Sequence, residues 1–255
     1  MDIDFRDKDN RYSRQVLFPP IGSRGQGMLM GSSAVIAGCG GLGSALANNL
    51  ARAGIGRLRI IDKDIVEESN LQRQLLFSED DVKSRSPKSM AAARRLKQIN
   101  SGMEIEPVYE EIDRSNINRL IQGFDLVLDG TDNFPARYMI NRACIELSVP
   151  FICGAVAASF GMVFNVLPGE GRCFQCLFPE EPGGDDVLNC NNAGILNTAV
   201  YVIASIQATE AFKFLTGHKK DMIRGLINID IWDLSVDIVK IGIDKDNICP
   251  VCSPG

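Results

Sequence analysis

The run Gly38-Cys39-Gly40-Gly41-Leu42-Gly43 constrains this chain more than any other segment. It follows the apolar stretch Ala34-Val35-Ile36-Ala37 and leads into Leu46, Leu50 and Ala53, spaced as on one face of a helix that Gly54 can stop. Glycines at such a junction lack Cβ atoms, so backbone N–H groups can approach a phosphate while the helix behind contributes the positive end of its dipole. Arg57-Leu58-Arg59-Ile60-Ile61 then reads as a second strand, which makes the segment a β-α-β unit of a parallel sheet. Taken alone, the same run also fits a tight strand-to-helix turn that binds nothing.

The residues that follow favour a ligand. Asp62 ends the second apolar run, about twenty residues past the loop, where a carboxylate can accept both hydroxyls of a ribose. Asn70, Arg73 and Gln74 follow in Ser69-Asn70-Leu71-Gln72-Arg73-Gln74, and Lys88 comes after Pro87. Asp129-Gly130-Thr131-Asp132-Asn133 closes another apolar run. A dinucleotide needs only the glycines and the acid. A triphosphate also needs fixed cations and a carboxylate for Mg²⁺, so ATP is the expected ligand. Of Asp129 and Asp132, one can serve Mg²⁺ while the other fixes the turn by an Asx-type hydrogen bond. Asp64, Glu67 and Glu68 read as solvated acids.

Bulk properties narrow the field. At 255 residues, 45% hydrophobic and 23% charged, the chain can bury one large core. A formal net charge of -5 gives no support for nucleic acid or an anionic membrane as partner. The charged start Met1-Asp2-Ile3-Asp4-Phe5-Arg6-Asp7-Lys8 lacks the apolar core of a secretory signal, and the apolar region 193–215 is broken by Asn197, Gln207, Glu210 and Lys213. A cytoplasmic protein is expected, with its eight cysteines reduced or bound to metal.

Four cysteines form two knuckles, Cys173-Phe174-Gln175-Cys176 and Cys249-Pro250-Val251-Cys252. Brought together by folding, they supply the four thiolates of a structural Zn²⁺ site that would tie the C-terminal tail to the domain. Cys39, Cys144 and Cys153 read as small core residues. Cys190, placed at the expected start of a long helix, is either a thiol activated by the helix end or a plain helix-start residue. The single histidine, His218, is expected in a loop and without a role, which leaves no acid–base histidine for a hydride-transfer site or a serine-histidine triad.

Further along, residues 86–99 and 117–122 read as helices and 104–109 and 125–128 as strands. After Pro150, strands are expected at 151–154, 161–167 and 226–232, with a long helix between and some antiparallel pairing. Residues 179–186 form an acidic, turn-rich loop. Because ligands in open parallel sheets lie outside the carboxyl ends of the strands where strand order reverses, the glycine loop, Asp62 and Asp132 are expected to share one crevice.

In order and spacing, these motifs resemble the MoeB/ThiF/HesA family, the prokaryotic relatives of ubiquitin-activating enzymes. The likeness runs from Arg11-Tyr12-Ser13-Arg14-Gln15-Val16-Leu17 and Pro20-Ile21-Gly22 through 38–43, Asp62-Lys63-Asp64-Ile65-Val66, 69–74 and 129–133 to both cysteine knuckles. The resemblance implies an α/β, Rossmann-like nucleotide-binding domain whose mixed, largely parallel sheet continues into antiparallel strands and ends in a C-terminal Cys₄ zinc site. It implies a single domain over 1–255, with an N-terminal helical arm (1–30), a nucleotide-binding half (31–150) and a carrier-binding, zinc-bearing half (151–255).

The activity implied is that of a homodimer that binds Mg-ATP and adenylates the C-terminal glycine of a small β-grasp, ubiquitin-like sulfur carrier ending in Gly-Gly, releasing pyrophosphate. The pathway would stop at the acyl-adenylate or continue to a thiocarboxylate, through Cys190 or a separate sulfur donor protein. By the same resemblance Gly38, Gly40, Gly41 and Gly43 cradle the nucleotide, and Asp62 holds the ribose. Asn70, Arg73 and Lys88 hold phosphates, Asp132 serves Mg²⁺, Arg14 reaches the neighbouring subunit's triphosphate, and Cys190 matches a cysteine that links to the carrier in some members. The chain departs from the pattern in two places. Asn191-Asn192 replaces an acidic residue after Cys190, and the approach to Lys88, Lys83-Ser84-Arg85-Ser86-Pro87, is longer than usual, which makes Lys83 and Arg85 the alternatives to Lys88. Two other readings compete: an NAD-dependent oxidoreductase, and a non-catalytic zinc-stabilised dimer that docks a partner.

Overall fold

The fold is that of a computed structural model, which describes residues 5, 7–8, 10–180, 193–241 and 249–252. Eight strands make one sheet: β1 (Ser33–Ala37), β2 (Arg57–Ile61), β3 (Glu104–Val108), β4 (Leu126–Asp129), β5 (Phe151–Ala157), β6 (Phe160–Val166), β7 (Leu226–Asp230) and β8 (Ser235–Val239). Their order is β3-β2-β1-β4-β5-β6-β7-β8. The first five are parallel, and β5 to β8 pair antiparallel. This is the mixed sheet expected.

Strands buried on both faces read as continuous apolar runs, and β1 shows why. Ala34 and Ile36 join Leu46 and Leu50 of α2 (Gly41–Ala53), Leu96 of α4 (Lys88–Ile99) and Ile203 of α8 (Asn197–Leu215) in one core. Val35 and Ala37 point the other way, to Leu120 of α5 (Ile117–Ile121), Ile140 of α6 (Phe134–Glu146) and Phe174 of α7 (Phe174–Leu177). The result is three layers, with helices over both faces.

The register positions the site. Ala37 at the end of β1 lies beside Ile61 of β2 and Asp129 of β4, so the segments that follow all three strands leave the sheet at one level. Strand order reverses between β1 and β4, which is where such sheets open a crevice.

The N-terminal arm carries α1 (Gly22–Met30), and its described residues from 10 to 21 are turns and bends. The arm is fastened at the C-terminal end of α2. Gly54 there has φ +88°, and a Cβ on it would meet the Tyr12 ring at 2.5 Å. Tyr12 also accepts a hydrogen bond from Asn100 Nδ2 at 3.0 Å, and Gln15 Nε2 donates to the Ala53 carbonyl at 2.9 Å.

Three expectations shift. Helix α4 begins at Lys88, not 86, because Ser86 and Pro87 are extended and paired with 64–66: Val66 N–H donates to Ser86 O, and Lys88 N–H to Asp64 O, both at 2.9 Å. The long helix α8 begins at Asn197, well past Cys190. α6 and β8 are additional; Asn133 caps α6 by accepting from Ala136 N–H at 2.9 Å, with Pro135 in the first turn. Short α3 (Glu79–Lys83) completes the α-helices among the described residues.

Gly43 marks the tightest approach, since a Cβ there would overlap the Gly38 carbonyl. Gly43→Ala is therefore expected to destabilise the protein by about 1–3 kcal/mol through overpacking, read as a lowered midpoint of urea unfolding.

Candidate active site

The glycine loop leaves β1 with Gly38 at φ +88° and enters α2 through Gly40, leaving the first N–H groups of α2 facing the crevice. Across it lies the turn after β4. Gly130 N–H donates to Ala37 O at 2.8 Å, and a Cβ on Gly38 would meet Gly130 O at 2.7 Å. Arg73 and Val200 pack on the other side, since a Cβ on Gly41 would find Arg73 Cγ at 3.6 Å and Val200 Cγ1 at 3.1 Å.

Asp62 follows β2 and turns into the loop. Its Oδ2 accepts from Cys39 N–H at 2.6 Å and its Oδ1 from Asp64 N–H at 2.7 Å. Burial pushes the Asp62 carboxyl above its usual range, against those two hydrogen bonds and the charge of Lys88. Lys88, the first residue of α4, is itself buried, and its Nζ donates to Asp64 Oδ2 at 3.0 Å. Asp64 is exposed, as expected, and is also the partner of Lys88. Lys83 lies on the outer face with Glu79 and Asp80 at 3.7 and 3.5 Å, and Arg85 is exposed. Of the three cations on this approach, Lys88 alone is turned inward.

Asn70 and Gln74 are buried nearby with Oδ1 and Oε1 unpartnered, and Gln74 Nε2 would be 3.8 Å from a Cβ on Gly40. Buried orphaned polar atoms cost free energy unless a ligand or water satisfies them, so these side chains fit a polar occupant of the crevice. Arg73 Nη1 donates to Ser69 O at 3.0 Å.

The two aspartates after β4 differ sharply. Asp129 is fully buried: Oδ1 accepts from Thr131 N–H at 2.9 Å and Thr131 Oγ1 at 2.6 Å, and Oδ2 from Arg137 Nε at 2.8 Å. Asp129 is the Asx-type anchor. Asp132 is exposed, and among the described residues its carboxylate accepts only from Asn133 Nδ2, at 3.2 Å. Its free oxygens suit Mg²⁺, which is held by one or two carboxylates together with substrate phosphates. Arg137 was not singled out in the sequence; Asn133 followed by Pro135 was the available signal, because it starts a helix that carries Arg137 one turn in.

Arg14 is exposed on the arm and makes no hydrogen bond or ion pair to any described residue. Cys190 lies outside the described residues, as does most of the acidic loop at 179–186. Cys39, Cys144 and Cys153 are buried as expected, and burial pushes all three thiols up. His218 is half-buried with Nδ1 3.0 Å from Thr216 Oγ1, beyond the far end of α8, roughly 22 Å along the helix from Val200 at the glycine loop.

The knuckles meet. Cys173, Cys176, Cys249 and Cys252 bring their sulfurs within 4.8 Å of one another, with Cys173 3.9 Å from Cys176 and 3.8 Å from Cys249, and Cys176 3.4 Å from Cys252. A tetrahedron of sulfurs about 2.3 Å from a central zinc has edges of about 3.8 Å. These four residues can hold such an ion. Among the described residues, no helix is long and apolar enough to cross a membrane.

A model of the ThiF family matches residues 12–251. The chain belongs to the ThiF family. Among ThiF relatives, the protein of Bacillus subtilis (strain 168) named Sulfur carrier protein ThiS adenylyltransferase is 42% identical over 242 residues, 95% of this chain and 71% of that protein. The SAMP-activating enzyme E1 of Haloferax volcanii is 37% identical over 246 residues, 96% of this chain and 89% of the enzyme. In structure, E. coli MccB crystallised with succinimide matches with a TM-score of 0.83 at 25% identity, covering 98% of this chain and 76% of MccB. The family read from the motifs is the family found.

The two aspartates give a direct comparison. Asp129→Ala leaves Arg137 buried without its counter-ion and is expected to cost about 3–5 kcal/mol. Asp132→Ala, at an exposed position, is expected to stay within about 0.5 kcal/mol of the wild type; urea unfolding of both variants makes the comparison.

Proposed function

We propose that the chain is a sulfur-carrier adenylyltransferase: it uses ATP to activate the C-terminal glycine of a small ubiquitin-like carrier ending in Gly-Gly. The carboxylate oxygen attacks the α-phosphorus in line, the bond to the bridging oxygen breaks, and pyrophosphate leaves with its electron pair. The observation that carries this reading is the pairing of an inward lysine, Lys88, with an exposed aspartate, Asp132, on segments flanking one glycine loop. An NAD-dependent oxidoreductase would use the loop and Asp62 but leave Arg73, Lys88 and Asp132 idle. The names of the Bacillus and Haloferax relatives support carrier activation.

In this reading Gly38, Gly40, Gly41 and Gly43 present N–H groups to phosphate, Asp62 orients the ribose, and Asn70, Arg73 and Lys88 position the polyphosphate. Asp132 would hold Mg²⁺, which neutralises charge on the leaving pyrophosphate. The chemistry rests on positioning and charge stabilisation and calls for no general base. Arg14 serves the partner subunit's nucleotide in a homodimer. Leu17 and Phe18, exposed just past Arg14, give the arm an apolar surface for that contact. The carrier docks on the half spanning 151–255, where Trp232, Leu234, Val236, Ile238 and Val239 line up exposed along and beside edge strand β8. The four-cysteine cluster would hold Zn²⁺ as a structural crosslink between 173–176 and the tail. Sulfur comes from a separate donor, in the synthesis of thiamine, molybdopterin or a related cofactor.

Mg²⁺-dependent ATP–pyrophosphate exchange is expected only when the cognate Gly-Gly-ended carrier is present. Arg73→Ala and Asp132→Ala should abolish it with zinc content intact, and Cys190→Ala should spare it; wild-type exchange by Asp132→Ala would sink the metal assignment. Separately, metal analysis of purified protein should find stoichiometric zinc, lost in Cys249→Ser/Cys252→Ser together with protection of the tail from proteolysis. Zinc-free wild-type protein with a protease-resistant tail would remove the structural role.

A further inference from the structure

The network beneath the turn after β4 does more than hold the fold. Arg137 is only 4% exposed, and its guanidinium ties the turn after β4 to β5. Nε donates to Asp129 Oδ2 at 2.8 Å, and Nη2 donates to Thr131 O at 2.8 Å and to Gly154 O at 3.4 Å. Asp129 closes the ring by accepting from the N–H and hydroxyl of Thr131, and its Oδ2 also receives Cys153 Sγ at 3.3 Å and Gly154 N–H at 3.4 Å. Thr131 is therefore gripped at its N–H, its hydroxyl and its carbonyl, the residue immediately before Asp132. On the opposite side Gly130 is locked against Gly38 and Ala37. Of the four residues from Asp129 to Asp132, only Asp132 has an exposed and nearly unbonded side chain.

We infer that Asp129, Thr131 and Arg137 are positioning residues that hold the Asp132 carboxylate at a fixed place above the glycine loop, and so set how strongly the bound nucleotide takes up Mg²⁺. The inference rests on the assignment of Asp132 to Mg²⁺ made above. A lysine at 137 would keep the charge that neutralises Asp129 but cannot span Asp129, Thr131 and Gly154 together, because it lacks the planar fork.

The test measures the Kd for ATP by titration calorimetry with and without saturating Mg²⁺, on the full chain, for wild type, Asp132→Ala, Arg137→Lys and Thr131→Val. The ratio of the two constants reports Mg²⁺ uptake by linkage. Residues that orient a metal ligand typically change metal affinity roughly 10–100-fold when replaced. Arg137→Lys should therefore lower the Mg²⁺ effect about tenfold or more, while Mg²⁺-free ATP binding stays within about twofold of wild type. Thr131→Val, which removes one hydroxyl, should shift the ratio in the same direction and carries the test if Arg137→Lys does not fold. A collapsed ratio in Asp132→Ala beside wild-type ratios in the folded variants overturns the positioning role alone. Equal weakening of ATP with and without Mg²⁺ in Arg137→Lys and Thr131→Val also overturns it, as a merely structural effect. An unchanged ratio in Asp132→Ala overturns the Mg²⁺ assignment and the inference with it.

Discussion

Contact between the backbone at Gly130 and the loop at 38–43 is the constraint on which the crevice depends. Two segments that follow adjacent parallel strands come closer than any side chain would allow, and Gly130 N–H continues the ladder by bonding Ala37 O. Because Ala37 is in register with both Ile61 and Asp129, that contact also fixes the height of Asp62 on one flank and of Asp132 on the other. A Cβ at Gly38 or Gly130 would separate the loop from the turn and with it the two flanks that carry Asp62 and Asp132.

The Asp129–Arg137 pair is the second requirement. Burial pushes the Arg137 guanidinium down, but the charge and hydrogen bond of Asp129, with Cys153 and Asp132 beside it, together outweigh burial and hold the group above its ordinary value. An ion pair of this kind is a poor source of net stability, since desolvating both charges offsets most of their attraction. What it adds is geometry: the carboxylate and guanidinium accept and donate in fixed directions, which an apolar pair of similar volume would not do. The chain thereby assigns opposite tasks to two aspartates three positions apart, one spent inside the turn and one left free on top of it.

Much of this was legible in the sequence, because it depends on periodicity and glycine placement. Apolar runs at 34–37, 57–61 and 125–128 bounded by glycine or aspartate could be read as strands, and the knuckles announced their own meeting. What escaped depended on tertiary neighbours. Asp64 is exposed as read, but its pairing with Lys88 shows only once the extended pair Ser86-Pro87 lies along 64–66 and delivers the lysine to it. Helix α6 was signalled by Asn133 and Pro135, yet the hydrophobic pattern behind them is weak because Arg137 and Asn141 are polar residues buried on its inner face. Strand β8 escaped because it is an edge with every side chain exposed, so burial imposed no alternation on it. Which of Asp129 and Asp132 is spent inside the turn was open in one dimension and depends on tertiary partners such as Arg137, eight residues from the first of them.

The absence of a histidine from the site follows from the chemistry proposed for it. A glycine α-carboxylate is already ionised at neutral pH, so a nucleophile needs no base, and the burden falls on bringing two anions together. That is consistent with the polar groups gathered here: N–H donors of a glycine loop, an inward lysine, an arginine and an exposed carboxylate. The product would be a mixed anhydride, open to attack by any thiolate within reach. Cys39 sits in the glycine loop itself, where burial, reinforced by the negative charge of Asp62, pushes its thiol up. A thiol kept protonated is a poor nucleophile. Cys39, fully buried, is therefore placed to pack the loop rather than to attack a mixed anhydride formed in the crevice.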